Sequence, residues 1–211
     1  HIQNLYKIKK IKDICTCNDF NISLRKQIKR CNININNLET RVIHAIHSNA
    51  YDKLLKIDFE SLNDIVFIGS GGSFAGAKFS AKLINHLYGT NAIALYPRDL
   101  YYRNNRNVDL VFLFSYSGTT SDLIVSSSLI DSRKKYIITK GELTKIVTKT
   151  GISKGNIISY RTSTNKGKER GFLSFEGALA PASLFLKLYF EYKSRNDIED
   201  FIRDSMQYWK K

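Results

Sequence analysis

Residues 65–89 read IVFIGSGGSFAGAKFSAKLINHLYG, and this stretch decides the fold class. Its first four residues are β-branched or aromatic and apolar on both faces, which is typical of a buried parallel strand. Glycine and serine fill residues 69–73, after which apolar residues recur at helical spacing until Gly89 ends the helix. The stretch therefore predicts a strand, a tight loop and a helix.

The same pattern occurs a second time further along the chain. Leu110–Phe114 is an apolar run, Ser115–Thr120 is a loop rich in hydroxyl groups, and Ser121–Ile130 has a helical pattern. Short apolar runs separated by helical patterns predict a parallel sheet with helices on its faces. The predicted strands are Ile65–Ile68, Ala92–Tyr96, Leu110–Phe114, Tyr136–Ile138 and Ile157–Tyr160.

Two further amphipathic patterns complete the expected fold. Residues 38–54 predict one helix that covers one face of the sheet, and Phe172–Tyr192 predicts a longer apolar helix for the other face. The fold class is therefore expected to be α/β, a three-layer α/β/α sandwich with a five-stranded parallel sheet of the flavodoxin type.

The 211 residues, 43% of them hydrophobic, are sufficient for one substantial domain. We expect it to span residues 38–195, between an N-terminal helical extension over residues 1–37 and a C-terminal helical tail over residues 196–211. Because the chain starts at His1 without a methionine, we also expect it to be part of a longer protein.

The formal charge of +14 raises the question of polyanion binding. Lysine and arginine are spread along the whole length rather than gathered in one basic stripe with aromatic residues, which disfavours specific nucleic-acid binding. No apolar stretch approaches the roughly 20 residues that a membrane helix needs, so we expect no membrane contact and a cytoplasmic location.

Cysteine and histidine give no sign of a metal or a disulfide framework. Cys15, Cys17 and Cys31 are odd in number and match no metal-binding spacing, and His44 and His47 lack a third ligand nearby. We therefore expect reduced thiols, no metal and no cofactor.

The two loops carry the chemistry. Ligands of open parallel sheets gather where the carboxyl ends of the strands meet the N-termini of helices, and both loops fall there. Glycines allow the backbone to approach a ligand, and Ser73 is expected at the cap of the following helix. Hydroxyl and amide donors without a carboxylate suit a phosphate dianion. The predicted binding residues are Gly71, Gly72, Ser73, Ser115, Tyr116, Ser117, Gly118 and Thr120.

Two common phosphate motifs are excluded by the first loop. The dinucleotide pattern needs a third glycine where Phe74 stands, and a nucleotide P-loop needs a Gly-Lys-Ser/Thr ending where Gly72 is followed by Ser73. A single glycine-rich loop is weak evidence for a phosphate site. Two hydroxyl-rich loops, each following a buried strand, are a more specific sign of one.

The segments Gly69-Ser-Gly-Gly-Ser73 and Leu113-Phe-Ser-Tyr-Ser-Gly-Thr-Thr120 resemble the two signature segments of sugar-isomerase (SIS) domains. That family includes the isomerase module of glucosamine-6-phosphate synthase, other phosphosugar isomerases and the glucokinase regulatory protein. The resemblance spans roughly residues 38–193, and it implies a sugar phosphate as ligand and a homodimer as the assembly. By this resemblance, Ser73, Ser115, Ser117 and Thr120 fall on the positions that hold the sugar phosphate.

A third segment, Lys166-Gly-Lys-Glu169, resembles the stretch in which family members place a glutamate that moves a proton between C1 and C2. The resemblance implies Glu169 as the base and Lys166 as the cation beside the developing enediolate. The same run is also typical of a solvated loop.

Two departures from the family leave the activity open. Thr119 stands where the family often has glutamate, and no histidine that could open a sugar ring follows His86. The sequence therefore supports an aldose-ketose isomerase or related enzyme, with a non-catalytic sugar-phosphate sensor as the alternative and a polyanion-binding protein as a third possibility. It does not identify the sugar.

Overall fold

The computed structural model describes residues 36–102, 108–118, 120–140, 145–160 and 175–208. Five strands form one parallel sheet in the order β2-β1-β3-β4-β5. The predicted strands are confirmed, with ends that differ by one residue at most. They are β1 (Asp64–Gly69), β2 (Asn91–Leu95), β3 (Leu110–Phe114), β4 (Lys135–Thr139) and β5 (Ile157–Ser159).

Seven α-helices flank the sheet in the described ranges. They are α1 (Leu38–Ile46), α2 (Asn49–Leu55), α3 (Gly72–Tyr88), α4 (Ser121–Ser127), α5 (Lys145–Thr150), α6 (Glu176–Tyr192) and α7 (Ile198–Tyr208). Short 3₁₀ turns occur at Phe59–Ser61, Pro97–Tyr101, Ser132–Lys134 and Lys154–Asn156. The last helix, α7, packs its apolar side on α1 and α6.

Alternate residues of each strand fill two separate cores, as the two-residue period of a strand requires. On one face, Phe67 and Phe112 stack with ring centroids 4.9 Å apart, and Phe185 of α6 meets the Phe112 ring edge-on at 5.6 Å. On the other face, Val66 and Val111 lie in a second cluster with residues of α4. Both faces of the sheet are therefore covered, which confirms the three-layer α/β/α arrangement.

The predicted arrangement of the flanking helices was wrong in two respects. The single helix expected over residues 38–54 is two helices that break at His47 and Ser48, where the Ser48 hydroxyl donates to the carbonyl of Ala45 at 2.6 Å. Moreover, α2 and α6 both pack on the face that carries Phe67, not on opposite faces. An amphipathic stripe shows that a helix buries one side, but it does not say which face of the sheet receives that side.

Helices α3 and α6 approach each other closely enough for their backbones to touch. A methyl group added at Gly76 of α3 would lie 2.6 Å from the carbonyl oxygen of Ala178 in α6. Such a contact is possible because glycine lacks a Cβ atom. The crossing therefore fixes the separation of the two longest helices.

None of the helices described here has both the length and the apolar character needed to cross a bilayer. Within the same ranges, no group of three or more His, Cys, Asp or Glu side chains is placed to hold a metal ion. Cys15, Cys17 and Cys31 lie outside the described residues.

Candidate functional site

The two predicted loops leave neighbouring strands at the same edge of the sheet. Strand β1 pairs with β2 on one side and with β3 on the other, and Gly69 at the end of β1 lies opposite Phe114 at the end of β3. The chain order therefore reverses between β1 and β3. In open parallel sheets, ligands bind in the crevice at this reversal point.

The first loop is shaped by glycines. A Cβ atom on Gly69 would lie 2.7 Å from the carbonyl oxygen of Ser73, and Gly71 has φ +56°, a conformation that residues with side chains rarely adopt. Helix α3 begins at Gly72, and the amide of Phe74 donates to the carbonyl of Gly71 at 3.1 Å. The amides of Gly72 and Ser73 come before this first bond, so they have no acceptor inside the 17-residue helix.

The sequence predicted that Ser73 would cap α3, and this prediction is wrong. Gly71 is the capping residue, and Ser73 is the second residue of α3, with a half-buried side chain. The glycine-rich backbone starts the helix earlier than a serine cap would. The Ser73 hydroxyl therefore has no role in holding the α3 N-terminus by a capping hydrogen bond.

In the second loop, Ser115 organises its neighbours. Its side chain is buried, its oxygen accepts a hydrogen bond from the amide of Gly118 at 3.0 Å, and it lies 3.4 Å from the hydroxyl oxygen of Thr120. Gly118 has φ +61°, which this tight turn requires. Thr120 stands at the cap of α4 without a side-chain capping hydrogen bond, and Ser117 is exposed.

A direct hydrogen bond joins the two loop regions. The Ser70 hydroxyl donates to the carboxylate of Asp122 at 3.1 Å, and the same carboxylate accepts from the amide of Leu123 at 3.0 Å. The sequence had suggested loops without a carboxylate, whereas the structure places Asp122 at the rim where they meet. All eight predicted phosphate-binding residues nevertheless lie on these two neighbouring loops.

Beneath the second loop lies a buried cluster of charged side chains that the sequence analysis missed. Glu176, the first residue of α6, is fully buried, and its carboxylate pairs with Arg41 at 3.1 Å and with Lys140 at 2.9 Å. The Tyr116 hydroxyl donates to the same carboxylate at 3.1 Å and accepts from the ammonium of Lys140 at 3.2 Å. The cluster thus ties the second loop to α1, to α6 and to the end of β4.

Glu169 was expected as the proton-transfer base and Lys166 as the cation beside it. Glu169 and Lys166 lie outside the described residues. Of the two histidines considered for a helical pair, His47 bonds to the carboxylate of Glu199 in α7 at 2.6 Å, and His44 is exposed on α1. Among the described residues, the carboxylate of Glu176 is bound to the Ser115–Thr120 loop through the hydroxyl of Tyr116.

No protein-family model matches the chain, and neither does any curated protein. Many solved structures do match. Tagatose-6-phosphate ketose/aldose isomerase from Escherichia coli aligns with a TM-score of 0.63 and 18% identity, over 83% of this chain and 52% of that one. The C-terminal domain of glucosamine-fructose-6-phosphate aminotransferase from Francisella tularensis aligns with a TM-score of 0.55 and 20% identity, over 83% of this chain and 51% of that one.

A third matching structure is the NanR protein of Vibrio vulnificus, which was solved in complex with ManNAc-6P. It aligns with a TM-score of 0.54 and 15% identity over 90% of this chain and 74% of that one. The chain thus spans about half the length of the two enzymes and three quarters of NanR. At these identities the likeness concerns the fold, and the chain has the α/β fold of the sugar-isomerase (SIS) domains and phosphosugar isomerases.

Proposed function

We propose that this chain binds a phosphorylated sugar in the crevice between the loops Gly69–Ser73 and Ser115–Thr120. The observation that carries the proposal is the position of both loops at the reversal point of the sheet, where the Ser70 to Asp122 hydrogen bond joins the first loop to the start of the helix that follows the second loop. The amides of Gly72 and Ser73, which have no acceptor within α3, and hydroxyl groups of the second loop provide the donors that a phosphate needs.

The favoured activity is aldose-ketose isomerisation or a related reaction next to the sugar carbonyl. In this proposal Glu169 moves the proton between neighbouring carbons, and Lys166 stabilises the oxygen on which negative charge develops. The likeness to tagatose-6-phosphate isomerase supports this class of reaction. The expected cytoplasmic location and homodimer belong to the same proposal.

A sugar-phosphate sensor without catalysis is the second candidate. One observation favours it: the carboxylate that the structure places beneath the second loop, that of Glu176, is fully buried and paired with two cations. Both of its oxygens are engaged by Arg41, Lys140 and Tyr116, so it is not placed to take a proton from a ligand in the crevice. The likeness to NanR, solved with ManNAc-6P, supports a binding role of this kind.

The binding proposal predicts that a sugar phosphate raises the melting temperature of the chain. A ligand that binds only the folded state stabilises it by about 2.7 kcal/mol when its concentration is 100 times Kd. A thermal-shift screen against hexose, pentose and amino-sugar phosphates measures this effect, with the unphosphorylated sugars as controls. If no sugar phosphate raises the melting temperature above that of the chain without ligand, the proposal is contradicted. Nucleic-acid binding whose affinity falls steeply with salt would instead favour a polyanion-binding protein.

The catalytic assignment predicts that Glu169→Gln loses isomerisation but keeps ligand binding. Loss of a general base costs about 10²- to 10⁴-fold in rate, whereas an amide of the same size leaves the phosphate contacts in place. Interconversion of the sugar phosphate found in the screen is the measurement. The matched control is Glu60→Gln, an exposed carboxylate near the start of β1, at the opposite edge of the sheet.

Three outcomes separate the candidates. Loss of rate in Glu169→Gln alone supports the isomerase. An unchanged rate in that variant removes Glu169 from the proposal. A wild-type chain that is stabilised by a sugar phosphate but converts none supports the sensor.

A further inference from the structure

Among the described side chains, the buried cluster beneath the second loop contains two cations and one carboxylate. In the part of the chain that the structure describes, Arg41 and Lys140 share the single carboxylate of Glu176. The side chains of Arg41 and Glu176 are 6% and 0% exposed, so this pair is enclosed by protein. A buried charge without a partner is costly, and an anion brought next to the cluster would compensate the excess.

Lys140 is the member of the cluster that can meet such an anion. Its side chain is 20% exposed, and it directly follows β4 at the carboxyl edge of the sheet, next to the strand that leads into the second loop. Its ammonium lies 2.9 Å from the carboxylate of Glu176 and 3.2 Å from the hydroxyl of Tyr116. An ammonium has three N–H donors, so these two contacts leave one for a ligand.

Lys135, at the other end of β4 from Lys140, is a lysine with a purely structural role. Lys135 begins β4 at the opposite edge of the sheet, and its buried ammonium donates to the carbonyls of Ser127 and Thr150 at 3.0 and 3.3 Å. Both acceptors lie at the ends of helices, where carbonyls lack partners within the helix. Burial lowers the pKa of Lys135, and its hydrogen bonds are accounted for by backbone groups.

We propose that Lys140 binds an anionic oxygen of the ligand on the β4 side of the Ser115–Thr120 loop, and that Glu176 and Tyr116 position its ammonium there. This inference rests on the proposed sugar-phosphate function and extends the site beyond the two loops. The ligand group concerned is an oxygen of the phosphate itself or a sugar oxygen that carries negative charge. Arg41 holds the carboxylate of Glu176 in place, and it has no contact with the ligand.

The test compares Lys140→Met, Lys140→Arg and Lys135→Met by calorimetric titration. A hydrogen bond to a charged group corresponds to about 10- to 100-fold in affinity, so Lys140→Met is expected to weaken sugar-phosphate binding by that factor. Lys140→Arg should recover part of the loss because it keeps the charge. Lys135→Met should lower the melting temperature and leave Kd unchanged.

The fold itself should survive Lys140→Met, because Glu176 stays paired with Arg41. Titration with inorganic phosphate identifies the oxygen that Lys140 contacts: weaker binding of both ligands indicates the phosphate, and weaker binding of the sugar phosphate alone indicates a sugar oxygen. Wild-type affinity of Lys140→Met for both ligands would overturn the role of Lys140 and leave the proposed function intact. Failure of the wild type to bind either ligand would overturn both proposals.

Discussion

Replacement of Glu176 by glutamine is expected to lower the free energy of unfolding by about 3–5 kcal/mol. The carboxylate is fully buried and compensates two cations, Arg41 and Lys140. Glutamine has nearly the same shape but no charge, so the two cations would face a neutral amide in a place that water hardly reaches. Urea denaturation, with the slope m compared between the variant and the wild type, measures the loss.

The matched control is Glu199→Gln on α7. Glu199 also contacts two basic side chains, His47 at 2.6 Å and Arg203 at 2.9 Å, but its side chain is 36% exposed. Exposed ion pairs contribute between 0 and about 1 kcal/mol, so this variant should stay close to the wild type. If the two variants lose equal stability, burial is not what makes the Glu176 cluster important.

A double variant sharpens the interpretation. Replacing Arg41 by methionine together with Glu176→Gln removes a buried cation along with the buried anion. Because the double variant no longer buries a guanidinium without its carboxylate, it should be more stable than Glu176→Gln alone. Simple addition of the two single losses would instead show that the residues do not act as a pair.

The second large effect is expected from Gly69→Ala, which should weaken sugar-phosphate binding on the order of 100-fold. The added methyl group would lie 2.7 Å from the carbonyl oxygen of Ser73 and 2.9 Å from the amide nitrogen of Phe74. Both are backbone atoms, so the loop and the start of α3 have to move. Donors displaced by about 1 Å no longer meet the phosphate at hydrogen-bond distance.

Calorimetric titration of Gly69→Ala measures the loss, and chemical denaturation shows the accompanying cost of about 1–3 kcal/mol for overpacking. Gly155→Ala is the control, because a methyl group there would meet only the side chain of Ser153 at an ordinary 3.8 Å. Unchanged affinity in Gly69→Ala would mean that the ligand does not depend on the backbone of the first loop.

The sheet could be predicted from the sequence because its strands are buried on both faces. A run such as Leu110–Phe114 is apolar throughout, so its type and its limits follow from local composition. The positions of the two loops follow in turn, since both directly succeed such runs. The break at Ser48 could not be predicted as easily, because apolar residues continue at helical spacing on both sides of it.

The charged cluster was beyond prediction from local patterns. Arg41 and Glu176 are separated by 135 residues and Tyr116 and Glu176 by 60, so no motif contains them. Glu176 at the start of an otherwise apolar helix looks like an ordinary residue of a first turn, where a carboxylate interacts well with the helix dipole. Only the packing of α6 against α1 and the second loop shows that this carboxylate is buried.

The contact of Gly76 with the backbone of Ala178 bears on how the proposed sugar-phosphate site would select among sugars. Two helices that touch main chain to main chain cannot roll or slide past each other without first separating. One of them starts at the first loop and the other starts at Glu176, so the gap between those two ends has a width set before any ligand arrives. We therefore expect this fixed spacing to discriminate among sugar phosphates by their length. Closure of the protein around the bound ligand is not expected to contribute.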